Sequence, residues 1–501
     1  MKKILPLGEW IILGLLSLIA LSPLFSSAWY HTGDGPFHLY SAAILNDLLF
    51  HSGEAFGRFF DLHFIPVPNT TILIFQAILL EVLPPNIVSI LTILLISICI
   101  IGGYLYFIKA VNPDHKGVAL LVLPVVINFF TIMGFFSFLA SVALLFFTIG
   151  YFHKKVTSIN RRQIVILTFL ITLNWFTHFI GALFSIGYIA FYILLMGKNG
   201  WRKIKLLIII SLPFVLLSII FGMEASKANV LHFESFNSLL ALFKETSPII
   251  CYSSNEMLFM RFFQYLILFS FPLSLYYFFK RGLSPALFAP LGFCFVLILG
   301  FFIIPTNCLS VKFINIRVLY AALLFFCAFI EMYSPRYLMI LTLPVVLFVL
   351  VKKKDYQTPI VEGYSLAAEN ISKNSVLLPK GKAVIALNYS DNWLEYNMCL
   401  YPAVIHKTVI LDNEEASTFN SVIRWKKEKK PGSNIGDVLS SKRPTIKLDY
   451  EKEANEKVEG LFMWRYNPEQ QDLSTKSNDS IITKLFKPVS LEDGVSVYLR
   501  K

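Results

Sequence analysis

Apolar runs long enough to cross a membrane recur from the amino terminus to residue 354. A transmembrane helix needs about 20 consecutive apolar residues, and eleven runs approach or reach that length. They are centred near 9–27, 86–108, 117–132, 134–152, 163–178, 179–197, 204–222, 257–279, 283–304, 317–333 and 335–351. The pattern predicts a polytopic α-helical membrane protein with about 11–13 transmembrane helices.

Two apolar runs near the amino terminus differ from the others. The first follows Met1-Lys2-Lys3 and resembles a signal peptide, but no small-x-small cleavage site follows it cleanly. We therefore expect an uncleaved first span. The run 70–83, closed by Pro84-Pro85, is shorter and predicts either a re-entrant segment or a tilted short span.

The polarity of the chain changes at Asp355, where alternating and short apolar runs replace the long ones. This change predicts a transmembrane domain at 1–354, with an external loop at 28–69, and an extracytoplasmic soluble α/β domain at 355–501. The expected elements of the soluble domain are strands at 382–387, 403–410 and 495–499 and a short helix from about Asn392.

Composition and charge agree with a membrane protein. Hydrophobic residues make up 56% of the chain and charged residues 15%, and the mean hydropathy is +0.64. Residues 355–501 contain 20 Lys/Arg and 20 Asp/Glu, so the whole net charge of +12 belongs to residues 1–354. There it orients the loops, and a nucleic-acid partner is not indicated.

The basic residues fall at alternate connections between the apolar runs, which predicts that those connections are cytoplasmic. With the amino terminus inside, the external segments are 29–69, 223–256, 305–316 and everything after Val351. This topology requires an odd number of crossings between Asn69 and Lys109, so one of the two apolar runs there should not fully span. The basic connections contain Lys109/Lys116, Lys154/Lys155/Arg161/Arg162, Lys198/Arg202/Lys203/Lys205 and Lys280/Arg281.

Several classes of enzyme are excluded by the absence of their motifs. The chain has no Gly-rich phosphate loop, no HExxH and no GxSxG, which argues against a P-loop ATPase, a zinc protease and an α/β-hydrolase. Its six cysteines show neither CxxC pairing nor metal-ligand spacing.

The most polar part of the first 354 residues is the loop that follows the first span. It holds four of the nine histidines. Within it Asp34 lies between two glycines and before Pro36, so its backbone should form a turn. A carboxylate there can act as a general base that deprotonates an acceptor hydroxyl. The alternative is that Asp34 only caps a helix beginning near Phe37.

The histidines around Asp34 give a second hypothesis for this loop. The spacing His31-x-x-Asp34-x-x-x-His38 is compatible with a metal site if a turn folds it, but a single triad of this kind is weak evidence. We favour His31 and His38 as substrate-loop residues that are solvated or contact a donor phosphate.

Three residues at predicted external span ends form a second group of candidates. Positive charge is disfavoured on that side, so the presence of Lys312 and Arg317 there requires an explanation. A lipid phosphate would supply one, since arginine offers a bidentate fork, and snorkelling to headgroups is the alternative. His178 either joins this phosphate site or is a neutral histidine hydrogen-bonded between helices.

This layout resembles the GT-C superfamily of membrane glycosyltransferases, which use polyprenyl-phosphate-linked sugars. The resemblance is one span, a large external loop with an early acidic residue, many further spans and a soluble carboxy-terminal domain. Its one motif-like piece is Asp34-Gly35-Pro36-Phe37-His38. Many members carry adjacent acidic residues in this loop, whereas here Gly35 follows Asp34. That departure favours a metal-independent enzyme without a cofactor.

The resemblance implies an inverting glycosyltransferase in the inner or plasma membrane. A polyprenyl-phosphate-linked sugar would be presented at the outer face among membrane lipids, and the acceptor would be a glycan, lipid or protein. By position, Asp34 would be the base and Arg317 the donor-phosphate ligand. The alternatives are a transporter of lipid-linked glycans, for which ionisable residues near the midplane are typical, and a non-catalytic assembly or polymerase-like protein.

Overall fold

The computed structural model describes residues 7–113, 115, 119–156, 159–196, 200–225, 231–281, 284–308, 311–417, 421–431, 446, 448–466, 473–492 and 494–501. It divides into two compact units. The helical unit comprises Met1–Leu24 and Ile93–Pro359, and the sheet unit comprises Phe25–Thr92 and Ile360–Lys501. The loop after the first span therefore belongs to the same unit as the carboxy-terminal segment.

The helices in chain order are α1 (Leu7–Leu21), α2 (Gly35–Phe50), α3 (Thr70–Leu80), α4 (Pro85–Val111), α5 (Leu123–Val126), α6 (Phe129–Met133), α7 (Phe136–Lys155), α8 (Arg161–Thr177), α9 (Phe179–Leu195), α10 (Gly200–Ala225), α11 (Phe236–Glu245), α12 (Met257–Arg281), α13 (Pro285–Ile303), α14 (Ile314–Tyr333), α15 (Arg336–Ser375), α16 (Tyr401–His406), α17 (Glu414–Ser417), α18 (Asp449–Glu453) and α19 (Leu473–Leu485). The 3₁₀ helices are Ser22–Phe25, Ser247–Ile249, Ser254–Glu256, Trp393–Leu400 and Lys427–Lys429. The strands are β1 (Phe60–Leu62), β2 (Ala383–Asn388), β3 (Val409–Ile410), β4 (Ile423–Trp425), β5 (Val458–Trp464), β6 (Phe486–Glu492) and β7 (Val495–Arg500).

Within the described residues, seven helical segments are long and apolar enough to cross a membrane. They are Leu7–Phe25, Pro85–Val111, Phe136–Lys155, Lys203–Met223, Ser254–Arg281, Pro285–Ile303 and Ile314–Tyr333. The 20 residues of α7 measure about 30 Å along the axis, which matches the hydrocarbon thickness of a bilayer. The chain is a multi-pass membrane protein, as the hydropathy pattern predicted.

The expected span at 117–132 is wrong as one continuous helix. Pro124 lies in the first turn of the short helix α5, and α6 starts afresh behind Asn128. The Asn128 side chain accepts hydrogen bonds from the backbone N–H groups of Phe130 and Thr131, and the Thr131 side chain accepts one from Asn128 N. This reciprocal capping box stabilises the break, because it satisfies N–H groups that a new helix leaves open.

The helix α3 is the apolar run between Asn69 and Lys109 that falls short of a full span. It contains 11 residues, or about 16 Å of helix, whereas α4 contains 27.

Two of the predicted basic connections lie at the same end of the helical unit. Lys109 Nζ lies 5.0 Å from the ring centroid of Trp10, and Lys154 Nζ lies 3.8 Å from that of Tyr106. Lys116 and Lys198 lie outside the described residues.

The sheet unit is built around a five-stranded sheet with the order β3-β2-β5-β7-β6. Strand β2 is parallel to β3 and β5, whereas β7 is antiparallel to β5 and β6. All six residues of β2 are buried, as expected for a central parallel strand. The predicted strands at 382–387 and 495–499 are confirmed by β2 and β7.

The expected strand at 403–410 is mostly wrong. Its first part is the helix α16, and only Val409–Ile410 pairs with β2. Lys407 has a φ of 54°, in the left-handed region that ends helices. The apolar run predicted a strand where most of the segment is a helix, because short buried segments of either kind are apolar throughout.

The early loop is joined to the carboxy-terminal segment by backbone and side-chain contacts. Strand β1 pairs antiparallel with β4, with Phe60 opposite Trp425, and the two rings lie 4.1 Å apart. From α2, Tyr40 Oη donates to Ile410 O at 3.0 Å.

The expected domain boundary at 354/355 falls inside α15. The two compact units instead divide the chain between Pro359 and Ile360. A continuous helix can carry the chain from one unit to the next.

Candidate functional site

Asp34 lies where the early loop turns into α2. Its backbone (φ −94°, ψ −1°) is at the N-cap position, and Asp34 O accepts the first helical bond from His38 N at 3.0 Å. Its side chain makes no capping hydrogen bond. Pro36 in the first turn starts the helix without a side-chain cap, because its ring fixes φ and it lacks an N–H. The half-buried carboxylate therefore points to contacts other than its own helix.

One of those contacts comes from Asn397, a residue that the sequence did not single out. Asn397 Nδ2 donates to Gly33 O at 2.9 Å and to Asp34 Oδ1 at 3.2 Å. Both partners are acceptors, which fixes the amide with its nitrogen toward the loop. Asn397 lies on the 3₁₀ helix Trp393–Leu400, 363 positions away in the chain.

His31 is a structural residue of the same loop. Its side chain is 2% exposed, with Nδ1 3.0 Å from Tyr401 Oη and Nε2 2.6 Å from Leu394 O. A carbonyl only accepts, so Nε2 carries the proton and Nδ1 accepts from the tyrosine hydroxyl. Burial lowers the pKa of His31 to about 4. Both nitrogens are occupied, so this side chain does not fit the metal triad or a phosphate contact.

His38 lies one turn after Asp34 on α2. Its Nδ1 is 3.5 Å from Glu415 Oε1, and Ser41 Oγ donates to Glu415 Oε2 at 2.6 Å. Residues four apart project from the same face of a helix, so Asp34 and His38 share one polar face. Among the described residues of the chain, no group of three or more His, Cys, Asp or Glu is arranged to hold a metal ion.

In the helical unit, Arg317 and His178 are in contact although they are 139 positions apart. Arg317 Nη1 lies 2.6 Å from His178 Nε2. Arg317 is on the first turn of α14 and only 6% exposed. Its guanidinium carbon lies 4.5 Å from the ring centroid of Phe135 and 5.2 Å from that of Phe138, within the range of cation–π attraction. A side chain this buried inside the protein does not snorkel.

His178 connects two helices and faces two N–H donors at once. It ends α8 and caps α9, with Nδ1 3.2 Å from Ile180 N, and its Nε2 faces Arg317. A neutral imidazole has one acceptor nitrogen, so it accepts only one of these two hydrogen bonds. The shorter, charge-assisted contact to Arg317 is the stronger of the two. One acceptor of Arg317 is therefore a neutral imidazole whose other nitrogen faces the first turn of α9.

The remaining candidate, Lys312, is exposed and lies five residues before Arg317. The structure thus brings His178 together with Arg317, and Asp34 together with Asn397. The first pair belongs to the helical unit and the second to the sheet unit. The sequence missed Asn397 and the aromatic rings of Phe135 and Phe138. The only signal for those rings was their place beside Gly134 at a predicted span end.

Comparison with known proteins shows the fold. No protein-family model matches the chain, and no curated relative matches it. The solved structures that match include two that cover almost the whole chain. ArnT from Cupriavidus metallidurans bound to undecaprenyl phosphate has a TM-score of 0.57 and 11% identity, with 98% of each chain covered. The same protein in the apo state has a TM-score of 0.57 and 11% identity, with 97% of each covered. Because ArnT is a GT-C glycosyltransferase, the chain has the GT-C fold that its layout predicted.

Proposed function

We propose that the protein is a GT-C-type glycosyltransferase of the cell membrane. It transfers a sugar from a polyprenyl-phosphate donor to an acceptor hydroxyl at the external face. The observation that carries this proposal is the match to ArnT over 98% of both chains, since that structure contains undecaprenyl phosphate. The buried Arg317, at one end of the helical unit, is a residue of the kind that a lipid phosphate requires.

In this proposal Asp34 is the general base. Its carboxylate takes the proton of the acceptor hydroxyl while the acceptor oxygen attacks the anomeric carbon of the sugar. The bond from that carbon to the phosphate oxygen breaks, and polyprenyl phosphate leaves with the electron pair. Attack opposite to the leaving group inverts the configuration. No cofactor or metal ion takes part in these steps.

Arg317 stabilises the charge that develops on the leaving phosphate. A phosphate oxygen is a far better acceptor for a guanidinium than the neutral imidazole of His178. Phosphate binding would therefore displace the Arg317–His178 contact, and His178 would then donate to the phosphate through Nε2–H. The exposed Lys312 would attract the phosphate group at the entrance.

The topology of the chain belongs to the same proposal. The amino terminus is cytoplasmic, and the segment after Val351 is extracytoplasmic. The position of Lys109 and Lys154 at one end of the helical unit supports it. A reporter fused after Lys501 should behave as extracytoplasmic. Cytoplasmic reporter activity would overturn this topology.

The contacts of the helical unit favour a glycosyltransferase over a transporter. Ionisable residues near the middle of a span would favour transport, but Glu331 has a carboxylate that accepts a hydrogen bond from Leu121 N at 2.7 Å. It lies in the last turn of α14 and holds the chain before the short helix α5. Its contact is that of a structural residue, so we do not propose transport.

The test is the binding of undecaprenyl phosphate to the purified protein in detergent, measured by native mass spectrometry. We expect binding of undecaprenyl phosphate and little binding of undecaprenol, which lacks the phosphate. The variant Arg317→Ala should bind undecaprenyl phosphate at least tenfold more weakly, because a charge-assisted hydrogen bond contributes about 1.5–3 kcal/mol. The matched control is Lys244→Ala, which removes an exposed cation at the end of α11. Equal binding of the two lipids would contradict the proposal.

A further inference from the structure

The hydrogen bonds of Asn397 indicate a function for this residue that goes beyond the assignment of Asp34. Asn397 Nδ2 donates to Gly33 O and Asp34 Oδ1, so one amide holds both the backbone and the carboxylate of the loop. The amide nitrogen carries two N–H groups, so it can donate one to each acceptor and fix the distance between them. We propose that Asn397 is a positioning residue that orients the Asp34 carboxylate and stabilises its ionised form. This inference rests on the proposed role of Asp34 as base.

The 3₁₀ helix that carries Asn397 is anchored firmly to the sheet. Asn388, the last residue of β2, donates through Nδ2 to Glu395 O at 2.6 Å and Tyr396 O at 3.1 Å. The Glu395 carboxylate accepts from Trp464 Nε1, the last residue of β5, at 2.8 Å. The carboxyl ends of two parallel strands therefore hold the helix. Ligand-binding groups are commonly found at this edge of a parallel sheet.

An ion pair adds to this anchor. Arg465 Nε and Nη2 donate to Glu395 at 2.7 and 2.8 Å, in a bidentate arrangement. Burial opposes ionisation, but the hydrogen bonds from Arg465 and Trp464 outweigh it and hold the pKa of Glu395 below its ordinary value. Asn392 caps the start of the same helix through Leu394 N at 3.1 Å. Asn397 thus projects from a helix whose backbone is fixed at both its start and its middle.

The early loop is held to the same helix on the other side of Asn397. Leu394 O accepts from His31 Nε2, and Tyr401 Oη contacts His31 Nδ1. Trp29 packs edge to face against Tyr401, with ring centroids 4.7 Å apart. These contacts hold the loop through His31 and Trp29, whereas Asn397 contacts the Asp34 carboxylate directly. Loss of Asn397 should therefore change the carboxylate more than the loop.

The charged groups on the packed elements set the electrostatic background of Asp34. Titratable groups on these elements include His31 on the same loop, His38 on α2, Glu415 on α17, and Glu395 with Arg465 beside the 3₁₀ helix. None of them changes when Asn397 is replaced. A donor to a carboxylate favours its ionised form. Removal of the amide should therefore raise the pH at which Asp34 loses activity.

The experiment is the pH profile of kcat/KM for release of polyprenyl phosphate by purified variants. Asn397→Ala should lower activity at pH 7 on the order of tenfold and move the acid limb up by roughly one pH unit. Asn397→Asp places a second carboxylate beside Asp34, so its acid limb should move further than that of Asn397→Ala. Asn397→Gln keeps the donor and should restore part of both losses.

The matched control is Asn392→Ala, which removes the cap of the same helix without a contact to Asp34. It should lower the melting temperature and leave the acid limb in place. Because His31 also titrates near pH 4, the Asn397→Ala shift should persist in a His31→Gln background. An unshifted acid limb in Asn397→Ala and Asn397→Asp would overturn the positioning role while Asp34→Asn remained inactive. Full activity of Asp34→Asn would instead overturn the proposed function itself.

Discussion

The two candidate groups of this protein differ in how their charges are held. Asp34 is half-buried and receives a hydrogen bond from a neutral amide. Arg317 is 6% exposed, lies against two aromatic rings and contacts a neutral imidazole. The carboxylate is held by a donor that fixes its orientation. The guanidinium contacts a neutral acceptor, which is a weaker partner for a cation than a phosphate oxygen is.

The difference follows from what each group is proposed to do. A general base must point in one direction and remain ionised, which an amide donor supports. A phosphate ligand must exchange its partner when the lipid arrives. A cation on aromatic faces and an imidazole meets that need, because the phosphate is the stronger acceptor.

The largest effect is expected from Asp34→Asn. The variant cannot take a proton, but its Oδ1 can still accept from Asn397, so the loop should keep its structure. We expect a loss of transfer activity on the order of 10²-fold or more, with the melting temperature little changed. The measurement is release of polyprenyl phosphate from a polyprenyl-phosphate sugar.

The control for this prediction is Asp61→Asn in the same early segment. Asp61 is exposed, and its Oδ1 lies 3.7 Å from Lys426 Nζ. Surface ion pairs of this kind contribute little, so activity should stay near that of the wild type. Near-normal transfer by Asp34→Asn would reduce Asp34 to a residue that starts a helix.

A smaller effect is expected from Arg317→Lys. Lysine keeps the charge but cannot make two parallel hydrogen bonds to a phosphate. We expect a loss of kcat/KM of about tenfold or more, and a larger loss in Arg317→Ala. Lys312→Ala should lose less than either, because Lys312 is exposed and screened by salt. Equal rates for the wild type and Arg317→Lys would reject the phosphate assignment.

The last effect is on folding and not on activity, and it concerns the stability of the early loop below neutral pH. The pKa of His31 is about 4 in the folded protein and about 6.5 when unfolded. Between these values only the unfolded state binds the proton, so stability is lost as pH falls from about 6.5 towards 4. The difference corresponds to roughly 3 kcal/mol in favour of the folded state at neutral pH.

This prediction is checked by melting temperatures measured from pH 7 to pH 4. His31→Gln cannot titrate, so its melting temperature should fall less on acidification than that of the wild type. His406→Gln, which changes a partly exposed histidine at the end of α16, should follow the wild-type curve. A wild-type slope in His31→Gln would show that another group controls the acid sensitivity.

The sequence by itself determined the membrane architecture and the place of the polar loop. Long apolar runs must form helices in a bilayer, because every backbone polar group needs a partner there. That requirement is local, so α7, α12 and α13 lie where their apolar runs predicted. The buried strand β2 was also evident, since a short β-branched apolar run has few alternatives.

Elements with competing local signals were determined less well. The run 117–132 is apolar enough for a span, yet the capping box of Asn128 divides it. The run 403–410 is apolar enough for a strand, yet most of it is helical. In both cases the hydrophobic pattern shows that the segment is buried. Burial alone does not decide whether the segment is one helix, two helices or a strand.

Only the tertiary structure decided the partners of the candidate residues. Asn397 and Asp34 are 363 positions apart, and Arg317 and His178 are 139 apart. The sequence around an asparagine does not indicate which acceptor its amide binds, because the amide can pair with any nearby carbonyl or carboxylate. The sequence showed which residues have useful chemistry. Which of them meet depends on how helices and strands pack, since hydrogen bonds act over about 3 Å and chain separation does not limit them.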